Sequence, residues 1–221
     1  MKGQPQVNII NPIPQCLLVQ FEDKRDLSLS FCRIQEFHES KLADIKGVPA
    51  SFADFIYAHM DSKGVITYFN EWEGYNFNDK VWRKWLPWER TKHEKQLISI
   101  MEDKLDTRAP FYVIGTLIGD TDTVNHELAH ALWYLDSNYH KMARAILKVF
   151  KENDCFDYGR MLTALSNMGY HDDVLEDELQ AYMSTGTLAE LKEIDFHAVV
   201  KPYVNRFRSN FKGALNEQQT L

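Results

Sequence analysis

The chain has 221 residues, of which 44% are hydrophobic, and a formal net charge of −7 at pH 7. This length fits one large domain or two small ones, and the apolar fraction is ample for a packed core. The acidic charge argues against nucleic acid or an anionic membrane as a partner, and no apolar run is long enough to span a bilayer. The three cysteines are widely spaced and the N-terminus lacks a secretory signal, so we expect a reduced, cytoplasmic protein.

The first part of the chain is predicted to contain mainly strands. Residues 15–21 form an apolar run, and residues 27–32 alternate apolar and small polar side chains, so the two segments predict a hairpin across a charged turn. Ser51 is a candidate N-cap for a short helix over residues 52–60. The β-rich residues 65–69 predict a further strand.

Residues 70–92 are unusually aromatic. They include Trp72, Tyr75, Phe77, Trp82, Trp85 and Trp88. One interpretation is a satellite core under a long loop, and the other is an aromatic wall for substrate side chains. Pro87 favours the start of a helix over residues 88–105, and the apolar residues 111–118 predict a strand after it.

The second part of the chain is predicted to be helical. A long helix over residues 122–150 contains Asp136-Ser137-Asn138, which favours a break or bend there. Asp173 and Glu176 have the spacing of a capping box. Further helices are predicted over 158–167, ending at Gly169, over 173–184, and over 188–211 with a break near Pro202. We therefore expect an α+β fold in a single domain over 1–221, with strands and the aromatic loop in 1–118 and helices in 119–215.

The most informative motif is His126-Glu127-Leu128-Ala129-His130, which has the pattern H-E-x-x-H. Residues four apart lie on the same face of a helix, so both imidazoles can bind one zinc ion at about 2.0–2.1 Å. Glu127 lies about a quarter turn away and can reach a water molecule on that metal without being a ligand. A metal-assisted hydrolase needs this arrangement.

A helix with this motif, following a strand, resembles the zincin metallopeptidases. The resemblance covers about ten residues around His126, Glu127 and His130. It implies a zinc cofactor, Glu127 as the general base, and a small sheet packed on the motif helix whose edge strand lines the cleft. From it we expect strand 111–118 to be a sheet strand near the site.

A catalytic zinc site usually has a third protein ligand, and three sources are available. In the metzincin pattern Asp136 would be that ligand, but Trp133 replaces the glycine that lets the chain turn back. In the gluzincin pattern the ligand is a glutamate on a later helix. Glu178-x-x-Ala181 resembles the E-x-x-A ligand helix of small gluzincins, and Glu176 is the next candidate.

Another histidine, His140 or His171, is the third source of a ligand, although both are typical of surface histidines. Tyr182 follows Glu178 by one turn. It could donate a hydrogen bond to a tetrahedral intermediate, or it could be a packed core tyrosine.

These residues predict a gluzincin-like zinc metallopeptidase that hydrolyses peptide bonds in a peptide or protein substrate. In this prediction His126, His130 and Glu178 bind zinc, and Glu127 and Tyr182 are catalytic. The first alternative is a catalytically inactive binding or structural protein with a zincin fold. The second is a metal-free helical interaction protein that uses the aromatic segment as its contact surface.

Overall fold

The computed structural model describes residues 6–40, 42, 44–85, 89–186 and 200–219. The fold is α+β, as expected, with a small mixed sheet and a large helical part. The chain divides into two compact units, Met1–Val124 and Asn125–Leu221. The single-domain prediction is not tested by this division and stays a prediction. No helix in the described part of the chain is both long and apolar enough to cross a membrane.

The first unit is built on a four-stranded sheet with the order β1-β2-β4-β3. Strands β1 (Val7–Ile10) and β2 (Cys16–Phe21) are antiparallel, β2 and β4 (Tyr112–Leu117) are parallel, and β3 (Gly74–Asn78) is antiparallel to β4. The central strands β2 and β4 are buried almost throughout, because neither face of a central strand pair meets solvent. They confirm the two apolar runs predicted as strands. Since β4 lies inside the sheet, it is not an edge strand.

The predicted strand over 27–32 is wrong, because these residues lie within helix α1 (Lys24–Glu39). The Asp23 side chain caps this helix by accepting hydrogen bonds from two backbone N–H groups of the first turn. Ser28 and Ser30 are buried with their apolar neighbours. The Ser30 hydroxyl donates to the carbonyl four residues earlier, and that of Ser28 donates to a carbonyl outside the helix. The serines therefore did not mark a solvent-facing side.

Helix α2 (Phe52–Ala58) is confirmed, and Ser51 is its N-cap in a complete capping box. The predicted strand over 65–69 is wrong. Ile66 makes only an isolated β-bridge, and a short 3₁₀ helix follows it. The Asp61 carboxylate accepts hydrogen bonds from two backbone N–H groups of the adjacent turn, which favours a tight loop over an extended strand.

Much of the aromatic segment forms regular structure, namely β3 and the short helix α3 (Asp79–Lys84). Tyr75, Phe77 and Trp85 are at most 2% exposed and belong to the main core of the first unit. These three side chains therefore stabilise the core and do not form a wall for substrate. Trp88 lies outside the described residues.

Helix α4 (Lys92–Lys104) starts later than predicted, with Thr91 as N-cap of a capping box. The proposed start at Pro87 lies outside the described residues. The N3 residue of this box, Glu94, also accepts a bidentate pair of hydrogen bonds from Arg33 of α1, at 2.7 and 2.5 Å. Both side chains are at most 3% exposed, so this ion pair joins two helices inside the first unit.

The second unit is helical. Its described helices are most of α5 (Thr121–Leu135), from Asn125 onward, and all of α6 (Ser137–Asn153), α7 (Cys155–Met168), α8 (Leu175–Thr185) and α9 (Lys201–Gln219). The predicted break is confirmed at Asp136, whose carboxylate accepts hydrogen bonds from two N–H groups at the start of α6. Gly169 ends α7 in the left-handed conformation at φ 118°, which glycine adopts without strain.

The predicted capping box of α8 is wrong. A 3₁₀ turn over Asp172–Val174 precedes this helix, and the His171 ring accepts a hydrogen bond from the Asp173 N–H. The Glu176 carboxylate instead accepts a hydrogen bond from another helix. The last predicted helix also differs. Its residues 188–199 lie outside the described residues, and Pro202 does not break α9 because it lies in the first turn.

Candidate metal centre

The two motif histidines project from the same side of α5. Their Nε2 atoms lie 3.2 Å apart, and the rings are nearly perpendicular with centroids 4.9 Å apart. The neighbouring Leu128, Ala129 and Leu132 are buried, so this part of α5 is packed inside the protein. The spacing of four residues thus brings one nitrogen of each imidazole close enough to share a metal ion, as the motif predicts.

Glu178 of α8 faces both histidines. Its Oε2 lies 3.5 Å from Nε2 of His126, and its Oε1 lies 3.5 Å from Nε2 of His130. Leu179 and Ala181 are fully buried on the same helix and hold it in place. Among the described residues, these three side chains form a group of donors that could hold a metal ion.

Glu176 points elsewhere. Its Oε1 accepts a hydrogen bond from the hydroxyl of Tyr158 at 2.8 Å, and its Oε2 lies 3.4 Å from a nitrogen of Arg144. Of the two glutamates considered as ligands, only Glu178 therefore reaches the histidines.

The donor set fits a zinc ion. Tetrahedral geometry with ligands at about 2.0–2.1 Å separates the ligand atoms by about 3.3–3.4 Å, close to the observed 3.2 and 3.5 Å. The Oε2 atom of Glu178 is buried and has no hydrogen-bond partner among the described residues. Leaving a buried carboxylate oxygen unpaired costs free energy. A cation bound between His126, His130 and Glu178, which we call the ligand triangle, would compensate that cost.

Asp177 defines which nitrogen of His130 faces this triangle. Its Oδ1 lies 2.9 Å from His130 Nδ1, and an ionised carboxylate only accepts hydrogen bonds, so Nδ1 carries the proton. In the neutral ring the Nε2 lone pair is then directed at His126 and Glu178, as a metal ligand requires.

The charge around His130 is strongly negative. Burial opposes the imidazolium form, but the carboxylates of Asp177 and Glu178, with a smaller contribution from Glu127, raise the pKa of His130 well above its usual value. Without a metal ion, a proton on Nε2 can balance these charges. A metal ion must therefore displace that proton when it binds.

A buried polar network continues from Asp177. Its Oδ1 also accepts a hydrogen bond at 2.9 Å from the side-chain amide of Gln180, which donates in addition to the carbonyl of Ala129 at 3.3 Å. The Tyr139 hydroxyl lies 2.6 Å from Gln180 Oε1 and 3.0 Å from Ser184 Oγ. The network therefore connects α5 and α8 with α6.

Tyr182 lies beside the histidines, with its ring centroid 4.5 Å from that of His126. Its hydroxyl is 2.8 Å from the hydroxyl of Tyr170 in the segment between α7 and α8. Burial and the charge of Glu178 raise the pKa of Tyr170. The position of Tyr182 fits either of its predicted roles, so its catalytic role stays a prediction.

Glu127, the predicted base, is 6% exposed and lies on α5 between the two histidines in sequence. Its charge contributes to the raised pKa of both His130 and Tyr170. Glu127 directly follows the candidate ligand His126 on the same helix.

The other ligand candidates have local structural roles. Asp136 caps α6 through its carboxylate. His140 lies 2.9 Å from the carbonyl of Trp133 through Nδ1 and stacks on that indole at 4.2 Å between centroids. His171 caps the 3₁₀ turn before α8. None of these three belongs to the donor group found among the described residues.

Sequence reasoning missed the residues that surround the ligands, namely Tyr139, Tyr170, Asp177 and Gln180. Asp177, Gln180 and Ser184 follow each other by three and four residues, so they share a polar face of α8. A polar face on a helix that carries a candidate ligand was a usable signal. For Tyr139 and Tyr170 no comparable signal exists in the sequence.

Comparisons of the chain with protein-family models, curated proteins and solved structures gave no match. The resemblance to zincins therefore depends on the motif and on the ligand geometry alone.

Proposed function

We propose that this protein is a zinc-dependent hydrolase that cleaves peptide bonds. His126, His130 and Glu178 are the metal ligands and Glu127 is the general base. One observation carries the proposal. The buried carboxylate of Glu178, from a helix 48 residues further along the chain than His130, lies 3.5 Å from Nε2 of both motif histidines.

The ligand set supports zinc. Two imidazoles and one carboxylate form a common ligand set of catalytic zinc, whereas structural sites usually have four protein ligands. The described residues supply three such donors, which leaves one coordination position for water or substrate. When bound, zinc supplies a Lewis acid that acidifies water and polarises a carbonyl group.

Glu127 transfers a proton from the attacking water molecule to the leaving group. It is adjacent to His126 on α5, so its carboxylate can accept a proton from a water molecule held at the ligand triangle. It then delivers that proton to the leaving amine, which must be protonated to depart. Tyr182, whose hydroxyl is hydrogen-bonded to that of Tyr170, provides an O–H group for the developing oxyanion when Tyr170 is the donor of that hydrogen bond.

The peptide bond as the target follows from the zincin resemblance, and a peptide or protein is the corresponding substrate. The low exposure of the ligands favours a second candidate, a binding or structural protein that retains zinc without catalysis. The side chains of His126, His130 and Glu178 are only 14, 4 and 6% exposed. An enzyme needs access for substrate to this site, and a structural metal does not.

The first test is metal content by mass spectrometry on wild type and His126→Ala prepared alike. The proposal expects about one zinc per chain in wild type and its loss in the variant. Wild type without metal, even after zinc is added, overturns it. If zinc is present, peptide libraries are then screened with wild type and Glu127→Gln. Cleavage by wild type alone supports the peptidase, and equal absence of cleavage with zinc bound supports the binding protein.

A further inference from the structure

Five side chains of the second unit form a hydrogen-bonded chain that leads away from the metal centre. In order they are His130, Asp177, Gln180, Tyr139 and Ser184. We propose that Gln180 and Tyr139 are positioning residues that hold His130 in the orientation and tautomer required for metal binding. This inference rests on the proposed zinc site and adds two residues that do not touch the metal or the substrate.

The direction of these hydrogen bonds follows from the chemistry of the groups. Gln180 faces the carboxylate of Asp177 and the carbonyl of Ala129, and both of these groups only accept. The amide NH₂ must therefore face them, and Oε1 must face Tyr139. The single proton of the Tyr139 hydroxyl is then donated to Gln180, so the Ser184 hydroxyl donates to Tyr139.

The same directions determine the state of His130. Asp177 accepts from Gln180 and from His130 through the same oxygen, Oδ1, at 2.9 Å in both cases. Gln180 therefore holds the Asp177 carboxylate where it accepts a hydrogen bond from the Nδ1–H group of the imidazole. With Nδ1 protonated, Nε2 is left as the metal-binding nitrogen.

Burial makes the chain hard to rearrange. Gln180, Tyr139 and Ser184 are 0, 1 and 3% exposed, so water does not readily replace a lost hydrogen bond. Burial also raises the pKa of the Tyr139 phenol, which keeps it protonated as a donor. Since Tyr139 belongs to α6 whereas the ligands belong to α5 and α8, the chain ties the metal centre to a third helix.

The test compares zinc affinity in wild type, Asp177→Asn, Tyr139→Phe and Ser184→Ala, by competition with a chromogenic chelator. Loss of an outer partner of a metal ligand lowers affinity by about 10- to 100-fold. We expect Asp177→Asn in this range, Tyr139→Phe at about 10-fold, and Ser184→Ala below that, because the effect weakens with distance from His130.

Two matched controls separate positioning from stability. Tyr203→Phe removes another tyrosine hydroxyl of the second unit, which donates to Asp154 at 2.5 Å. Asp172→Asn removes a carboxylate close to Asp177 in sequence but exposed. Both are expected to keep the wild-type zinc affinity. All affinities are measured at a temperature at which circular dichroism shows each variant to be folded.

A second measurement reports on His130 directly. In the zinc-loaded protein, ¹⁵N NMR should show His130 protonated at Nδ1, with slow exchange of that proton with water. Tyr139→Phe should accelerate this exchange several-fold, whereas Tyr203→Phe should not change it.

The outcomes are distinct. If Tyr139→Phe lowers thermal stability like Tyr203→Phe but changes neither zinc affinity nor Nδ1 exchange, Tyr139 is only a structural residue and the inference is wrong. The same holds if His130 is protonated at Nε2 in the zinc-loaded protein. If wild type binds no zinc, the proposed function itself fails and this inference fails with it.

Discussion

His130 Nδ1 lies 2.9 Å from Asp177 Oδ1, and the opposite nitrogen of the same ring lies 3.2 Å from Nε2 of His126. The ring is therefore held from one side by a carboxylate and presents its other nitrogen to the site. The hydrogen bond between His130 and Asp177 thus links the motif helix α5 to α8.

Glu127→Gln should retain zinc but lose nearly all hydrolysis. The amide has the shape of the carboxylate but cannot accept a proton, and general acid–base catalysis contributes about 10²- to 10⁴-fold. Initial rates on a substrate found by library screening measure the loss, with metal content as the control. Undiminished turnover in a zinc-loaded variant would remove Glu127 from the mechanism.

Glu178→Ala should weaken zinc binding strongly, because it removes the only carboxylate that faces both histidines within the described residues. Glu176→Ala is the matched control, since it lies two residues away on the same helix and interacts with Tyr158. Zinc affinity is measured by chelator competition for both variants. If Glu176→Ala has the larger effect, the ligand assignment is wrong.

The pair His59–Glu36 should make stability depend on pH. Their side chains lie 3.2 Å apart and partly buried. Burial opposes both charges, but the hydrogen bond and attraction between them raise the pKa of His59 above 6.5 and lower the pKa of Glu36 below 4.5. The stabilisation from the charged His59 is lost as pH rises through the pKa of His59 in the folded state. The stabilisation from the charged Glu36 is lost as pH falls through the pKa of Glu36 in the folded state.

The stabilisation from this pair should therefore be complete between pH 4.5 and 6.5 and decline on both sides. Denaturant unfolding of wild type and His59→Gln across pH measures it as the difference in free energy. In a Glu36→Gln background this difference should depend less on pH. A difference that is flat from pH 4 to pH 9 in the wild-type background would contradict the prediction.

Gly115→Ala should destabilise the first unit. A Cβ at this position of β4 would lie 2.5 Å from Cε2 of Phe31 and 2.9 Å from Cδ1 of Leu27, both in the core between α1 and the sheet. Overpacking of this kind costs about 1–3 kcal/mol.

The control for this variant is Gly159→Ala, which adds a Cβ inside helix α7 with no neighbour within 4 Å. This control should be stabilised by about 0.5–1 kcal/mol, because alanine favours a helix over glycine. Thermal unfolding compares the two variants. If both variants change the unfolding temperature equally, the Phe31 side chain moves to make room for the new methyl group and the prediction is wrong.

Several features follow from the sequence itself, because they depend on neighbours along the chain. The spacing of His126 and His130 predicts two nitrogens on one side of a helix, and the structure places them 3.2 Å apart. The end of α7 at Gly169 and the break at Asp136 were likewise predicted from local backbone preferences. Zinc binding and hydrolysis remain predictions.

Local patterns failed where burial, which is a tertiary property, determined the outcome. Residues 27–32 alternate like a strand, but Ser28 and Ser30 are buried in α1 and satisfied by carbonyl groups. The aromatic segment was predicted as a loop, whereas β3 places Tyr75 and Phe77 in the core. A serine that is satisfied by hydrogen bonds cannot be told from a solvated one by sequence alone.

The surroundings of the candidate ligands were decided by tertiary structure alone. Glu176 and Glu178 are equivalent in chemistry and only two residues apart in sequence, and the packing of α8 directs Glu178 toward the histidines and Glu176 toward Tyr158. Tyr139 lies 41 residues before Gln180 and still contacts it at 2.6 Å. Contacts at such separations depend on how helices pack, and local periodicity carries no information about packing between distant segments.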